Sequence, residues 1–265
     1  MTRTGVMLTI AGSDPSGGAG IQADLKTAAA LGVYGATVVT ALTAQNTLGV
    51  TGVHAVPAAF VRQQYEAVVT DLDVRAVKIG MLGSVEVVRA VAAMLRERPV
   101  PAVVLDPVMV ATSGDRLVPE DAAAAIRELL VPLASLVTPN VPEAEVLTGL
   151  GIDSPDDLEA AARALLALGP GAVLAKGGHL DGDRCVDVLV SASGVRRLES
   201  PRVRTRNTHG TGCTLSSAIA AYLVRGDDLP DAVTSAKDYL TRALVAGAGL
   251  ELGRGSGPVD HRVHG

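Results

Sequence analysis

Strand-like and helix-like stretches alternate along almost the whole chain, and this alternation limits the fold more than any single residue does. "GVMLTIAG" (5–12) reads as a strand and "GAGIQADLKTAAALG" (18–32) as a helix. The same pairing recurs in "ATVVTAL" and "PAAFVRQQYEAVVTDL", in "AVKIGML" and "SVEVVRAVAAMLRERP", and in "PAVVLDPVM" and "PEDAAAAIRELLVP". "ASLVTPN" is a further strand, followed by helical "PEAEVLTGL" and "SPDDLEAAARALLALG". In the last of these Ser154 is placed as N-cap, Pro155 at the first helical position, and Gly169 and Pro170 at the end. After the strand "GAVLAKGG" the pattern changes: "CVDVLVSASGVRRLES" predicts a hairpin, then two helices run over roughly 210–225 and 229–246. In the second, Val233, Ala236, Leu240, Ala243 and Leu244 share one face. Repeated strand–helix units require a mostly parallel sheet covered by helices on both faces.

No linker breaks the alternation, so one domain is expected over 1–265. The Gly-rich tail at 253–265 is left without assigned structure, and removal of its last eight residues (258–265) is expected to spare activity unless the tail docks. Hydrophobic residues make up 48% and aromatics 2%, so the core must be aliphatic. A net charge of −5 argues against a nucleic-acid partner or an anionic membrane surface. Between Thr27 and Val61 there is no Asp, Glu, Lys or Arg, but glycines, Gln45 and Asn46 interrupt the stretch. Buried strands of a covered sheet fit it better than a membrane span does. The N-terminus reads as a first strand rather than a signal peptide, and Cys185 and Cys213 are too far apart for a disulfide framework or a CxxC metal site. A reducing, cytoplasmic setting is expected.

In such a fold ligands gather at the carboxyl ends of the strands, and the informative residues stand there. "AGSDPSGGAGIQAD" (11–24) is a glycine turn without the Lys-Ser/Thr of a phosphate-binding P-loop. Gly18, Gly20 and Ala23 match G-x-G-x-x-A, but no acidic residue follows the second strand, so a dinucleotide oxidoreductase fails. Asp14 caps a turn in the plain reading, and Asp24 falls where a carboxylate can accept a hydrogen bond from a substrate hydroxyl. In "TAQNT" (43–47) a turn role suits Asn46, whereas Gln45 is either a turn former or a reader of an amino group beside a ring nitrogen. Met81, Val108 and Met109 line an apolar slot for a flat ring or simply pack in the core. Asp106 holds part of a Mg²⁺ shell or starts the turn before Pro107.

Asn140 and Glu143, three apart at a helix start, make a workable capping box, and the same side can face a metal. Lys176 is a phosphate-binding point charge or a surface lysine. "THGTGCT" (208–214) places glycines and threonines at a helix N-terminus, a ready anion site. Cys213, at that junction, is expected to have a lowered pKa and to act as a base beside a phosphoryl group, the plain alternative being a small buried hydrophobe.

"LTIAGSDPSGGAGIQADLK", "TAQNT", "KIGML", "LDPVM", "TPNVPEAE", "KGGH" and "NTHGTGCTLS" stand in an order that resembles the bacterial hydroxymethylpyrimidine/phosphomethylpyrimidine kinases of thiamin biosynthesis, a family of the ribokinase-like superfamily. The resemblance covers about residues 6 to 261. It implies a three-layer α/β/α ribokinase-like fold with a mostly parallel central sheet and the late hairpin. It implies an ATP- and Mg²⁺-dependent kinase that phosphorylates an aminopyrimidine alcohol and then its monophosphate. By the same resemblance Gln45 reads the ring edge with Gly12, Asp24, Met81 and Val108 around it. Lys176, Asn140 and the loop of Thr208, Gly210, Thr211 and Gly212 serve ATP, Glu143 joins Asp106 at Mg²⁺, and Cys213 is the base where much of the superfamily has Asp. A homodimer is implied. One departure is Thr112, which stands where the family often has a basic residue before "SGD". The rivals are a pyridoxal kinase and a non-catalytic pyrimidine sensor. The sensor has no need of Lys176, Asn140, Glu143 and Cys213 together.

Overall fold

The computed structural model describes residues 4–109 and 119–263; the expectation attached to Thr112 lies outside them. In chain order the elements are β1 (Val6–Ser13), α1 (Gly20–Ala30), β2 (Tyr34–Asn46), β3 (Gly49–Ala55), α2 (Ala58–Val69), β4 (Val74–Ile79), α3 (Val85–Glu97) and β5 (Ala102–Leu105). Then come α4 (Glu120–Ala125), β6 (Leu136–Val137), α5 (Val141–Thr148), α6 (Pro155–Leu166), β7 (Ala172–Ala175), β8 (Arg184–Ser191), β9 (Gly194–Pro201), α7 (Thr211–Arg225) and α8 (Leu229–Gly247). Helix α4 widens into a π turn (Ile126–Leu130) and then tightens into a 3-10 turn (Val131–Leu133) before β6.

The strands form one nine-stranded sheet in the order β3-β2-β1-β4-β5-β6-β7-β8-β9. The six central strands, β2, β1, β4, β5, β6 and β7, pair in parallel; β3, β8 and β9 are antiparallel at the edges. Period-two alternation along each strand feeds two cores. Met7, Ala76, Val104, Leu136 and Leu174 face α1, α7 and α8, where Leu215, Ile219, Val233 and Ala236 cover them. Leu8, Ile10, Val77, Ile79, Val103 and Leu105 face the other way, under α2, α3 and α4. That second face continues as Val173, Ala175, Val188 and Val190 under α5 and α6. The layering is the three-layer α/β/α arrangement that the resemblance implied. The cap on α6 forms as the residues indicated, with Ser154 Oγ accepting from the Asp157 N–H at 3.2 Å.

Two expectations are corrected. The second strand does not stop before "TAQN": β2 runs on through Gln45 and Asn46 and pairs with β3, which the alternation did not reveal. Beyond Ala41 the ribbon alternates exposed and half-buried residues, so it stands clear of the helical layers. The tail is also fixed in place. Val259 is buried, the Asp260 N–H donates to Ala243 O at 3.1 Å, and the Tyr239 hydroxyl donates to His261 O at 3.2 Å. The condition attached to removing its last eight residues is therefore met. Among the described residues, no helix is long and apolar enough to cross a membrane.

Candidate active site

The parallel strands deliver their carboxyl ends to one cavity of about 700 Å³. Gly12, Gln45, Met81, Asp106, Val108, Asn140, Glu143, Lys176, Thr208, Gly210, Thr211, Gly212 and Cys213 all line it. Seven separate stretches of chain thus converge, most of them at strand ends as the strand-end rule requires.

Two glycine turns meet at its floor. The loop after β1 is gathered by Asp14, whose carboxylate accepts from the N–H groups of Ser16, Gly18 and Ala19 at 2.9, 3.2 and 2.9 Å. Its Oδ2 also lies 2.8 Å from His209 Nε2, which ties this loop to the one that opens α7. Burial pushes the Asp14 carboxyl up, yet His209, Ser16 and the backbone donors prevail and hold it at about 2. The loops touch where a Cβ on Gly210, which has φ of 78°, would sit 1.9 Å from Gly18 O, so no other residue fits. Helix α7 then starts at Thr211 and points its first-turn N–H groups toward the cavity.

Carboxylates and one lysine face that helix end. Lys176 Nζ is 2.8 Å from Asp106 Oδ1, and Asp106 also takes hydrogen bonds from Thr138 at 3.2 Å and Ser216 at 3.3 Å. Burial works to raise Asp106, but Lys176, Lys78 and Thr138 outweigh it and keep it low. The capping box of α5 forms in full: Glu143 N–H donates to Asn140 Oδ1 at 2.9 Å, and Asn140 N–H donates to Glu143 Oε2 at 2.8 Å. Capping and cavity lining therefore coexist at these two residues. Burial pushes Glu143 up to about 7, with Lys176 pulling down and Asp106 adding to the rise.

On β2, Thr43 Oγ1 donates to Ser13 O at 2.9 Å and lies 3.1 Å from Gln45 Oε1. The carboxamide of Gln45 faces the cavity. Met81 and Val108 supply apolar wall beside it.

Two of the expectations are not met, one on geometry and one on the surroundings of the thiol. Asp24 does not line the cavity. It is fully buried, held by Lys78 Nζ at 2.9 and 3.0 Å, Ser217 Oγ at 2.7 Å and Thr9 Oγ1 at 2.6 Å, so it has no free face for a substrate hydroxyl. Nor is the Cys213 thiol acidic. Burial pushes it up to about 11; Lys78 and the Gly20 N–H pull down, and Asp24 and Asp106 push further up. The helix end alone does not decide the thiol's state.

Lys78, fully buried and at the cavity wall, is a lining side chain that the sequence reading assigned no role. A lysine inside the apolar run "AVKIGML" was its one signal. Asp187 and Lys237 were also missed: Asp187 takes Lys237 Nζ at 2.6 Å and the Gly177 N–H at 2.9 Å, which fixes the turn just after Lys176.

A family model described as phosphomethylpyrimidine kinase matches residues 14–260. A hydroxymethylpyrimidine/phosphomethylpyrimidine kinase of Rhizobium meliloti is 55% identical over 260 residues, covering 97% of each chain. A thiamine biosynthesis bifunctional protein of Geobacter sulfurreducens is 53% identical over 257 residues, and this chain spans 52% of its length. Among solved structures, a phosphomethylpyrimidine kinase from Clostridium difficile is 45% identical with a TM-score of 0.81, over 90% of this chain and 99% of that one. An ADP complex of Bacillus subtilis pyridoxal kinase is 37% identical with a TM-score of 0.91, over 98% of both chains.

Proposed function

The chain belongs to the phosphomethylpyrimidine kinase family, and from that membership we propose a reaction and a role for each group in its cavity. It phosphorylates 4-amino-5-hydroxymethyl-2-methylpyrimidine with ATP and then phosphorylates the monophosphate to the diphosphate, within thiamine biosynthesis. The observation that carries this reading is the shared cavity. A planar amide reader, Gln45, opens onto the same space as the α7 helix end, Lys176 and two buried carboxylates. That is a ring site joined to a phosphate site.

The roles follow from the chemistry. Gln45 pairs with the amino group and adjacent nitrogen of the ring; Gly12, Met81 and Val108 shape its slot. Thr208, Gly210, Thr211 and Gly212 present the helix end to phosphate oxygens, and Lys176 adds a point charge. Phosphoryl transfer needs little covalent help from the protein beyond such positioning and charge. Asp106 and Glu143 fit a Mg²⁺ ion: two buried carboxylates share Lys176, and Glu143 rests near pH 7 between its charged and neutral forms. Asp106 and Glu143 would hold the divalent cation, which would supply positive charge to the nucleotide phosphates.

Replacing Gln45 with Ala is expected to raise the KM for the pyrimidine about tenfold or more, the loss of one bidentate pair, with the KM for ATP within about twofold. Steady-state kinetics with each substrate varied checks this, and equal losses would remove the reader role. The pyridoxal reading has less support, because the fully covered pyrimidine kinase relative is 55% identical and the pyridoxal kinase 37%. A cytoplasmic homodimer completes the reading. Leu42 and Val53 are exposed on the β2–β3 ribbon and Leu48 at its turn, and sedimentation velocity tests whether a second copy pairs with the chain.

A further inference from the structure

The two walls of the cavity belong to different parts of the fold. Gln45 sits on the β2–β3 ribbon, whose far end stands clear of the helices. The phosphate-facing loop belongs to α7, on the other side. The C-terminal segment touches both. At the ribbon, the Gly255 N–H donates to Thr47 Oγ1 at 3.2 Å and the Ser256 N–H donates to Thr47 O at 3.0 Å. Thr47 is the turn residue just past Gln45 and Asn46. At the α7 loop, Gly257 O accepts from the His209 N–H at 3.0 Å, and Pro258 pairs with His209 in a short parallel bridge. Farther along, His261 Nε2 lies 3.0 Å from Thr214 Oγ1, whose hydroxyl also donates to Gly210 O at 2.8 Å. With its one proton so used, Thr214 accepts from the His261 N–H.

The glycines of this segment are there for close approach. A Cβ on Gly255 would lie 1.9 Å from Thr47 O, and one on Gly257 would lie 2.2 Å from Asn207 Oδ1. A tail that only covered α8 would need neither contact, since Val259 and the Tyr239–His261 hydrogen bond already anchor it there.

We propose that residues 255–261 form a strap that sets the spacing between the ring-reading ribbon and the phosphate loop, with Thr47, Gly255 and His261 as positioning residues for the transfer. The inference rests on the kinase reading given above. Its physical basis is that reacting atoms must be held about 3–3.5 Å apart, and a displacement of about 1 Å can cost on the order of a hundredfold in rate. The contacts of Thr43 with Ser13 and of Asp14 with His209 join the walls below Gln45; a chain hydrogen-bonded to Thr47 and to His209 adds a second tie at the ribbon's far end and so fixes the spacing there.

The test combines kinetics with amide hydrogen exchange on the full chain. Gly255→Ala pushes the segment off the Thr47 turn; Thr47→Val removes one acceptor, and Thr47→Ser keeps it. Gly255→Ala is expected to raise the KM for the pyrimidine and lower kcat, each by about tenfold, with the KM for ATP within about twofold. Thr47→Val changes the same constants in the same direction, and Thr47→Ser restores them. Exchange at the His209 and Thr214 amides, at the other end of the strap, rises in Gly255→Ala and Thr47→Val. Unchanged kinetics despite faster exchange at Ser256 would overturn the proposal, as would equal losses for both substrates with a matching fall in Tm. Exchange decides the strap even without turnover: if the wild type fails to phosphorylate the pyrimidine, the kinase reading falls, and unaltered exchange at His209 in Gly255→Ala would still sink the coupling.

Discussion

Cys213→Ser is expected to lower kcat for the pyrimidine alcohol by about a thousandfold, within the range of 10²–10⁴ for a general base, while the KM for ATP stays near its wild-type value. The same variant is expected to lose much less on the monophosphate. An alcohol must shed a proton as it attacks, whereas a phosphate monoester has its second pKa near 6 and is already a dianion at neutral pH. The state of the thiol adds a pH signature. With the thiol pushed up to about 11 by burial and the nearby carboxylates, the thiolate is a minor form at pH 7 and grows as pH rises. The kcat/KM of the alcohol step should therefore climb with pH through the neutral and mildly alkaline range, and the monophosphate step should not share that slope. Parallel profiles for both acceptors, or near-normal alcohol turnover in Cys213→Ser, would remove Cys213 as the base.

The second large effect lies under the site. Asp24→Leu leaves Lys78, which has no exposed surface, without its ion-pair partner. Breaking a buried pair from one side costs about 3–5 kcal/mol, which for a chain of this size lowers Tm by roughly 10 °C. The double variant Asp24→Leu with Lys78→Met removes both charges and is expected to recover much of that stability. Activity on the alcohol should stay low in the double variant, because Lys78 is the cation that favours the Cys213 thiolate. Thermal unfolding beside initial rates separates the two roles. A single variant that melts within about 2 °C of wild type, against that expected 10 °C, would mean that the pair carries little.

The parts of the molecule legible in the sequence are those set by local pattern. Buried parallel strands read as apolar runs, and the helices between them carried caps such as Ser154 and Asn140. Strand β3 escaped because "GVTGVHA" combines two glycines with positions none of which is buried, so no buried face imposed a period on it. The site's lining was readable because it falls at strand ends. Its electrostatics were not. Asp24 looks free until Lys78 arrives from 54 positions away, and the Cys213 thiol looks acidic until burial and two distant carboxylates are counted. Glycines near the C-terminus suggested looseness, but Gly255 and Gly257 serve contacts with Thr47 and Asn207 that only the folded chain displays.

The central claim is that one cavity carries out two successive phosphoryl transfers on an aminopyrimidine. The most direct measurement is an ATP-consumption assay with Mg²⁺ and, separately, the hydroxymethylpyrimidine, its monophosphate and pyridoxal, with the products identified by mass spectrometry. The account predicts monophosphate and diphosphate products from the pyrimidine series and a lower kcat/KM for pyridoxal. Turnover of pyridoxal alone, or of none of the three, would contradict it.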